Sequence, residues 1–359
     1  MRVKLGDVCE RGTSNLKLSD VSEKNGEFSV FGASGYIGSV DFYQQGYPYV
    51  AVVKDGAGIG RAMLCPGKTS VIGTMQYLLP KDNILPKYLF YVVKYMNLEK
   101  YFTGATIPHI YFKDYKNEEF NFDFWERQVE IVSVLSKCEK VIDLCKQELQ
   151  LLDKLIKARF VELFGDPVSN SYGLPEATLP DLGEFGRGVS NHRPRNDIKL
   201  LGGKYPLIQT GDVANAGLYI TSYSSTYSEL GLKQSKMWDK GTLCITIAAN
   251  IAKTAILEFD ACFPDSVVGF IANERTNNIF VHYWFSFFQA ILESQAPESA
   301  QKNINLKILS ELKVIVPEKR KQDQFASFVK LTDKSKVAVQ KALDEAQLLF
   351  DSLMQEYFG

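Results

Sequence analysis

Between residues 126 and 165 the side chains Ile131, Leu135, Cys138, Ile142, Cys145, Leu149, Leu152 and Ile156 recur at alternating steps of four and three. That spacing is the seam of a coiled coil, narrower than the apolar stripe of an ordinary surface helix. Gly165 and Pro167 then supply a helix stop. At 1.5 Å per residue the spacing predicts a rod roughly 58 Å long. Such a rod cannot be one more helix inside a small domain, and its seam needs a partner.

The partner lies in the same chain. A shift of 194 positions brings the C-terminal segment into register without a gap: Gln128 meets Gln322, Ser133 meets Ser327, Lys140 meets Lys334, Leu149 meets Leu343, Leu155 meets Leu349, and Phe164-Gly165 meets Phe358-Gly359. The second seam reads Phe325, Val329, Thr332, Lys336, Val339, Leu343, Ala346, Phe350, Leu353. Its Thr332 and Lys336 are polar intrusions of the kind that fix register at a cost in stability. Two unrelated amphipathic helices, each docked on a local core, are the blander alternative. An ungapped match over some forty residues argues against it.

The stretches before the two rods also repeat, more loosely. Gly12-Thr-Ser-Asn15 is echoed by Gly188-Val-Ser-Asn191, Ser70-Val-Ile-Gly73 by Ser266-Val-Val-Gly269, and Tyr88-Leu-Phe90 by Tyr283-Trp-Phe285. Ile59-Gly-Arg61 in a glycine-rich run has a counterpart in Ile251-Ala-Lys253, and His109-Ile-Tyr-Phe-Lys113 in Asn303-Ile-Asn-Leu-Lys307. Short strand-like runs, glycine turns and a helix opening at Pro86 read as mixed α/β. The predicted architecture is α+β: a mixed α/β domain at 1–125, a rod at 126–165, a second domain at 166–318 and a second rod at 319–359. Antiparallel pairing of the rods would give a coiled coil with internal pseudo-twofold symmetry, the rod length acting as a ruler. Rods that stay alike while domain surfaces diverge suggest a scaffold presenting two different recognition faces.

Chemistry is hard to find on this chain. The three histidines lie far apart, and the six cysteines form no Cys-x-x-Cys pair, so neither a zinc site nor a disulfide framework is expected. The 55–61 run lacks the Gly-Lys-Ser/Thr ending of a P-loop and the spacing of a dinucleotide fingerprint. No Asn/Asp-Pro-Pro-aromatic tetrapeptide of an amino-methyltransferase occurs. Pro264-Asp265 with Glu311-Leu-Lys313 fits a metal-dependent nuclease pattern only across a long gap. The expectation is a non-catalytic protein without metal or cofactor. The N-terminus has no apolar signal region, and the run 279–292 is interrupted by His282, Ser286 and Gln289. A cytoplasmic location is expected.

Net charge is −1, and residues 1–125 carry 14 basic and 13 acidic side chains while residues 166–318 carry 13 and 16. Binding to a polyanion must therefore use local patches, or lean on a more basic partner. In the second domain Arg187, Asn191, Arg193, Arg195 and Lys204 fall within eighteen residues around Pro194, with His192 and Lys199 between them, and Lys253 follows later. In the first domain Arg11, Lys17, Lys54, Arg61 and Lys68 occupy the corresponding turns, near Tyr36, Tyr43 and Tyr47. Arg and Asn suit base edges, and Lys suits phosphates. For any one of these residues taken singly, a solvated surface charge is the stronger reading, more so in the first domain.

The tandem domain–rod plan resembles the specificity subunit of type I restriction–modification systems over essentially the whole chain. The resemblance rests also on Gly104-Ala-Thr-Ile-Pro-His-Ile110 before the first rod, on Pro317-Glu-Lys-Arg-Lys-Gln322 opening the second, and on the Glu-x-Phe-Gly rod ending at Glu162 to Gly165, echoed by Glu356 to Gly359 with Tyr357 inside it. The first rod departs from the family pattern, since Asp123-Phe-Trp-Glu-Arg-Gln128 lacks the entry proline. The resemblance implies that 1–125 and 166–318 are target-recognition domains, each reading half of a bipartite asymmetric sequence in double-stranded DNA. It implies that the rods set the gap and dock two methyltransferase subunits that carry S-adenosylmethionine and methylate adenine at N6. Two restriction subunits with ATP and Mg could join them. The competing readings are a coiled-coil adaptor that binds proteins only, and a single-chain nuclease. The adaptor predicts no effect on DNA methylation, and the nuclease predicts metal-dependent cleavage by the chain alone.

Overall fold

The computed structural model describes residues 1–21, 26–104, 108–248, 250–295 and 304–359. The quoted motif positions Ala105, Thr106, Ile107 and Asn303 lie outside them. The chain divides into two compact units, residues 1–146 with 341–359, and residues 147–340.

The first unit opens with β1 (Arg2–Lys4), α1 (Leu5–Val8) and β2 (Cys9–Thr13). Next come β3 (Phe28–Gly32), β4 (Gly35–Val40), β5 (Tyr49–Val53), β6 (Ala62–Cys65), β7 (Ser70–Val71) and β8 (Met75–Pro80). They are followed by α2 (Pro86–Met96), α3 (Phe112–Tyr115) and β9 (Glu119–Asn121), which leads into the long helix α4 (Trp125–Phe164). One sheet has the order β2-β8-β5-β6, another β4-β3-β7, and β1 pairs with β9. Every residue of β5 is buried, as its unbroken Tyr-Val-Ala-Val-Val run requires of a central strand. Pro86 takes the first turn of α2, and the helix stops at Met96 because Asn97 turns left-handed (φ 47°). A short 3-10 turn, Leu98–Tyr101, then carries the chain on.

The second unit repeats this plan. After β10 (Glu176–Ala177), α5 (Leu179–Leu182) and β11 (Gly183–Arg187) come β12 (Leu201–Leu207), α6 (Thr210–Asn215), β13 (Tyr219–Ile220), β14 (Ser225–Tyr227) and α7 (Glu229–Lys233). There follow β15 (Met237–Trp238), β16 (Leu243–Thr246), β17 (Thr254–Leu257), β18 (Ala261–Cys262) and β19 (Val267–Ala272). Last are α8 (Asn278–Gln295), α9 (Leu306–Glu311), β20 (Val314–Ile315) and the second long helix α10 (Lys319–Phe358). Its sheets are β11-β19-β16-β17-β13 and β14-β12-β18-β15, with β10 paired to β20. Thus β2, β8, β5 and β6 have counterparts in β11, β19, β16 and β17.

Hydrogen bonds fix this correspondence residue by residue. In the first unit Val53 N donates to Arg61 O and Gly60 N to Val53 O, at 3.0 and 2.8 Å. In the second, Thr246 N donates to Lys253 O and Ala252 N to Thr246 O, both at 2.9 Å. Ile110 N reaches Lys54 O at 2.9 Å, and Ile304 N reaches Ile247 O at 3.0 Å. Arg61 and Lys253 therefore occupy the same place, each preceded by a residue of positive φ, Gly60 (79°) and Ala252 (58°), and by a buried isoleucine, Ile59 and Ile251.

Each unit holds part of both long helices, and in each they run antiparallel. In the first unit the Arg127 guanidinium lies over the Tyr357 ring at 5.7 Å, while Ile131, Leu135 and Ile142 share a core with Phe350, Met354 and Phe358. In the second, Phe160 and Phe164 meet Phe325 at centroid distances of 5.3 and 5.7 Å, and Lys336 Nζ reaches Asp153 Oδ1 at 2.7 Å. The seams read from sequence face inward: Ile131, Leu135, Ile142, Ile156, Phe325, Val329 and Phe350 are buried, and Cys138, Cys145, Leu149, Leu152, Val339, Leu343 and Ala346 half-buried. Met354 joins them, buried though off the strict repeat. The polar intruder Thr332 turns its hydroxyl back onto Phe328 O at 3.0 Å, so its burial leaves nothing unpaired. Among the described residues no helix is long and apolar enough to cross a membrane.

Candidate nucleic-acid interface

In the second unit β11 ends at Arg187 and the chain crosses close over Phe263, where a side chain on Gly188 would sit 2.2 Å from the Phe263 carbonyl oxygen. The loop beyond is held by backbone and side-chain bonds. His192 N donates to Gln234 Oε1 at 3.0 Å, and the Asp197 carboxylate accepts from Lys199 N at 3.0 Å. That bond, with the His192 ring beside it at 3.1 Å, holds the Asp197 carboxyl below the usual range. The peptide before Pro194 is cis.

Two arginines of this loop converge on one carboxylate. Arg193 Nη2 approaches Asp265 Oδ2 at 3.5 Å while its Nη1 donates to Ser190 O and His192 O at 2.5 and 2.8 Å. Arg195 Nη2 pairs with the other oxygen, Asp265 Oδ1. Arg187 joins Arg195, Asp265 and Ser266 around an open polar cleft of about 230 Å³. Both loop arginines remain about half exposed, at 55% and 46%. The shared carboxylate orients both guanidinium groups; Arg193 commits its Nη1 donors to Ser190 O and His192 O, while Arg195 keeps most of its N–H donors outside the pair. A fork such as that of Arg195 suits a guanine edge or a phosphate.

The other residues of the second-domain set stand apart from this cluster. Asn191 is tied through its backbone N–H to Gln234 O at 3.4 Å. Lys204, on β12, pairs with Glu229 at 3.3 Å. Lys253 lines a separate polar cleft of about 270 Å³ together with Asp153, His282 and Lys336. Thr254 Oγ1 and His282 Nδ1 are 2.9 Å apart there, and burial, with Lys336 nearby, pushes the His282 imidazole down to about 4.

In the first unit Lys54 and Arg61 sit at the two ends of the glycine-rich β5–β6 turn. Gly56, Gly58 and Gly60 take φ of 84°, 81° and 79°, and a side chain on Gly60 would lie 2.4 Å from Glu99 N. Arg61 folds back on this turn, Nε donating to Gly58 O at 3.2 Å, and stays exposed. Asp55 Oδ1 lies 2.6 Å from His109 Nδ1, and Lys54 Nζ lies 3.6 Å from Asp55 Oδ2. Arg11 lies on β2 opposite Leu78. Lys17 precedes a short turn capped by Asp20, and Lys68 holds a left-handed turn conformation (φ 58°). Of the nearby tyrosines, Tyr36 and Tyr47 are 62% and 87% exposed, while Tyr43 packs edge-on against Phe28. Asp265 and His109 were not read as members of either site. Their pairing joins residues 70 and 54 positions apart, for which no local periodicity gives a signal.

Among the described residues no group of His, Cys, Asp and Glu is arranged to hold a metal ion. A family model described as the type I restriction modification DNA specificity domain matches residues 1–154 and again residues 176–346. The chain belongs to this family. It is a type I restriction–modification specificity subunit, and its role is DNA sequence recognition.

Relatives and solved structures agree. The putative type I restriction enzyme MjaX specificity subunit of Methanocaldococcus jannaschii is 22% identical over 292 residues, covering 77% of this subunit and 68% of the relative. The MjaIX specificity subunit of the same organism is 26% identical over 179 residues, 45% of this chain and 40% of its own. The fold is that of the type I restriction–modification S subunit from M. genitalium, with a TM-score of 0.64, 16% identity and coverage of 100% and 96% of the two chains. A chain from a structure described as the basis of complex assembly and conformational transition of the type I R-M system superposes with a TM-score of 0.52 at 13% identity, over 99% and 97%.

Proposed function

We propose that the two domains, residues 1–125 and 166–318, each read one half of a split DNA target, and that the halves are unrelated in sequence. The carrying observation is a common frame with different loops. In the second unit Arg193 and Arg195, in the loop after β11, are clamped by Asp265; in the first unit Lys54 and Arg61 project from a glycine turn braced by Asp55 and His109, and the counterpart of that turn carries Lys253. In this reading Arg187, Asn191, Arg193 and Arg195 contact one half-site, with Lys204 and Lys253 on its flanks. Arg11, Lys17, Lys54, Arg61 and Lys68 serve the other.

The segments 126–165 and 319–359 then act as spacer and as docking rail for two methyltransferase subunits, with restriction subunits added to them. Apolar side chains outside the seams support docking: Leu144 and Leu348 are 52% and 72% exposed in the first unit, Leu151 and Leu331 62% and 66% in the second. Exposed apolar side chains clustered on a helix mark association surfaces. S-adenosylmethionine, ATP and Mg belong to those partners in this reading, and the chain itself performs no chemistry. Mapping N6-methyladenine genome-wide after co-expression with the methyltransferase subunit tests it. A split, non-palindromic motif is expected; a continuous motif, or no methylation change, refutes it.

A further inference from the structure

The two units differ at one sheet edge. In the second, β17 is covered by β13, which runs parallel to it with Tyr219 opposite Ile256 and Ile220 opposite Leu257. Ile256 N donates to Leu218 O at 2.9 Å, and Glu258 N to Ile220 O at 3.2 Å. This cover belongs to residues 208–224, inserted between β12 and β14. The first unit joins the corresponding β3 and β4 through Ala33 and Ser34 alone. Its β6 consequently ends the sheet, pairing with β5 and with no other strand among the described residues.

The correspondence of Arg61 with Lys253 places Leu64 at the position of Ile256. By strand alternation Ala62 and Leu64 turn their backbone groups away from β5. The Leu64 N–H is thus the counterpart of the one that Leu218 satisfies in the second unit. Beside this edge lies a groove of about 440 Å³ with Phe90 and Phe350 in its wall. Lys94 spans both rings, 5.8 and 4.7 Å from their centroids, and pairs with Glu139 at 3.1 Å. Lys87 and Lys146 line the groove without an ion-pair partner among the described residues, and Asp143 offsets one of these charges. Pro66, which has no N–H, follows β6 and keeps the open edge short.

We propose that this groove receives an extended apolar segment of the methyltransferase subunit, bearing a carboxylate toward Lys87, which adds to β6 as a parallel strand where the second unit uses its own β13. Strand addition at an open edge supplies affinity through main-chain bonds and selectivity through the neighbouring side-chain pockets. The inference rests on the docking proposed above. The occupant's chemistry follows from its internal counterpart, the apolar Leu218-Tyr219-Ile220, and from the excess positive charge of the groove.

Hydrogen exchange of the full chain, alone and in complex with the methyltransferase subunit, tests it. The outward amides of Ala62 and Leu64 are expected to slow at least tenfold on assembly, while residues 254–257 exchange slowly in both states. An intact complex with unchanged exchange at Ala62 and Leu64 overturns the strand and leaves docking standing. Failure to form any complex overturns docking and the strand together. Slowing that rises with concentration of the chain alone would assign the groove to a second copy and overturn the methyltransferase assignment. Leu64→Pro removes the outward N–H and leaves the β5 ladder intact. It should weaken assembly tenfold or more at unchanged Tm, and unchanged assembly contradicts the proposal.

Discussion

Arg195 illustrates what one side chain is asked to do. Its partner Asp265 fixes the guanidinium without consuming all its donors, so Arg195→Ala should weaken specific DNA binding by about 1–3 kcal/mol and relax one position of one half-site. Arg195→Lys keeps the charge and loses the fork, and should fail to restore that position; affinity measured on single-base variants of the target decides. The matched turn positions give a backbone test. Gly60→Ala places a Cβ in a left-handed site 2.4 Å from Glu99 N and should cost more than about 1–2 kcal/mol in denaturant unfolding. Ala252→Gly relieves the same conformation (φ 58°) and should raise stability by up to about 1 kcal/mol. His282, held neutral in its cleft with a value near 4, binds fewer protons folded than unfolded. Its contribution is complete above the unfolded value of about 6.5 and is lost as pH falls toward 4. His282→Gln should flatten that part of the pH–stability profile, and an equally steep fall in the variant would contradict the assignment.

At the scale of elements, the paired glutamines explain how the long helices are seated. Gln128 accepts from Leu85 N and donates to Asn83 O and Asp123 O, each at 2.9 Å. Gln322 accepts from the Thr276 hydroxyl at 2.8 Å and donates to Arg275 O and Pro317 O at 3.0 and 2.8 Å. Both are fully buried. Replacing either by Leu strands three polar groups, at about 1–3 kcal/mol for each one left dry; a loss below 1 kcal/mol in thermal unfolding would mean the bonds contribute little. The helices were legible because Ile131 to Ile156 keep one period for seven turns, and a period survives divergence better than identity does. The sheets were legible only as runs such as Tyr49–Val53. Nothing local in Tyr219-Ile220 announces a strand, because its pairing with β17 is set by residues 37 positions away. For the same reason the candidate binding residues were visible as types, while the convergence of Arg193 and Arg195 on Asp265 was not.

For the whole molecule, duplication is the organising fact: one frame made twice, each copy holding part of both long helices, with loops free to diverge. A family model that matches twice along the chain fits a division of labour in which each copy reads its own half-site. With a net charge of −1, the chain must hold phosphates through local patches, or share that attraction with more basic partners in the proposed assembly. The most direct measurement is the methylation motif of a chain whose residues 1–125 are replaced by the corresponding domain of another family member. The account predicts that one half of the motif changes while the other half and the gap between them stay as they were; a change in both halves, or in neither, would contradict it.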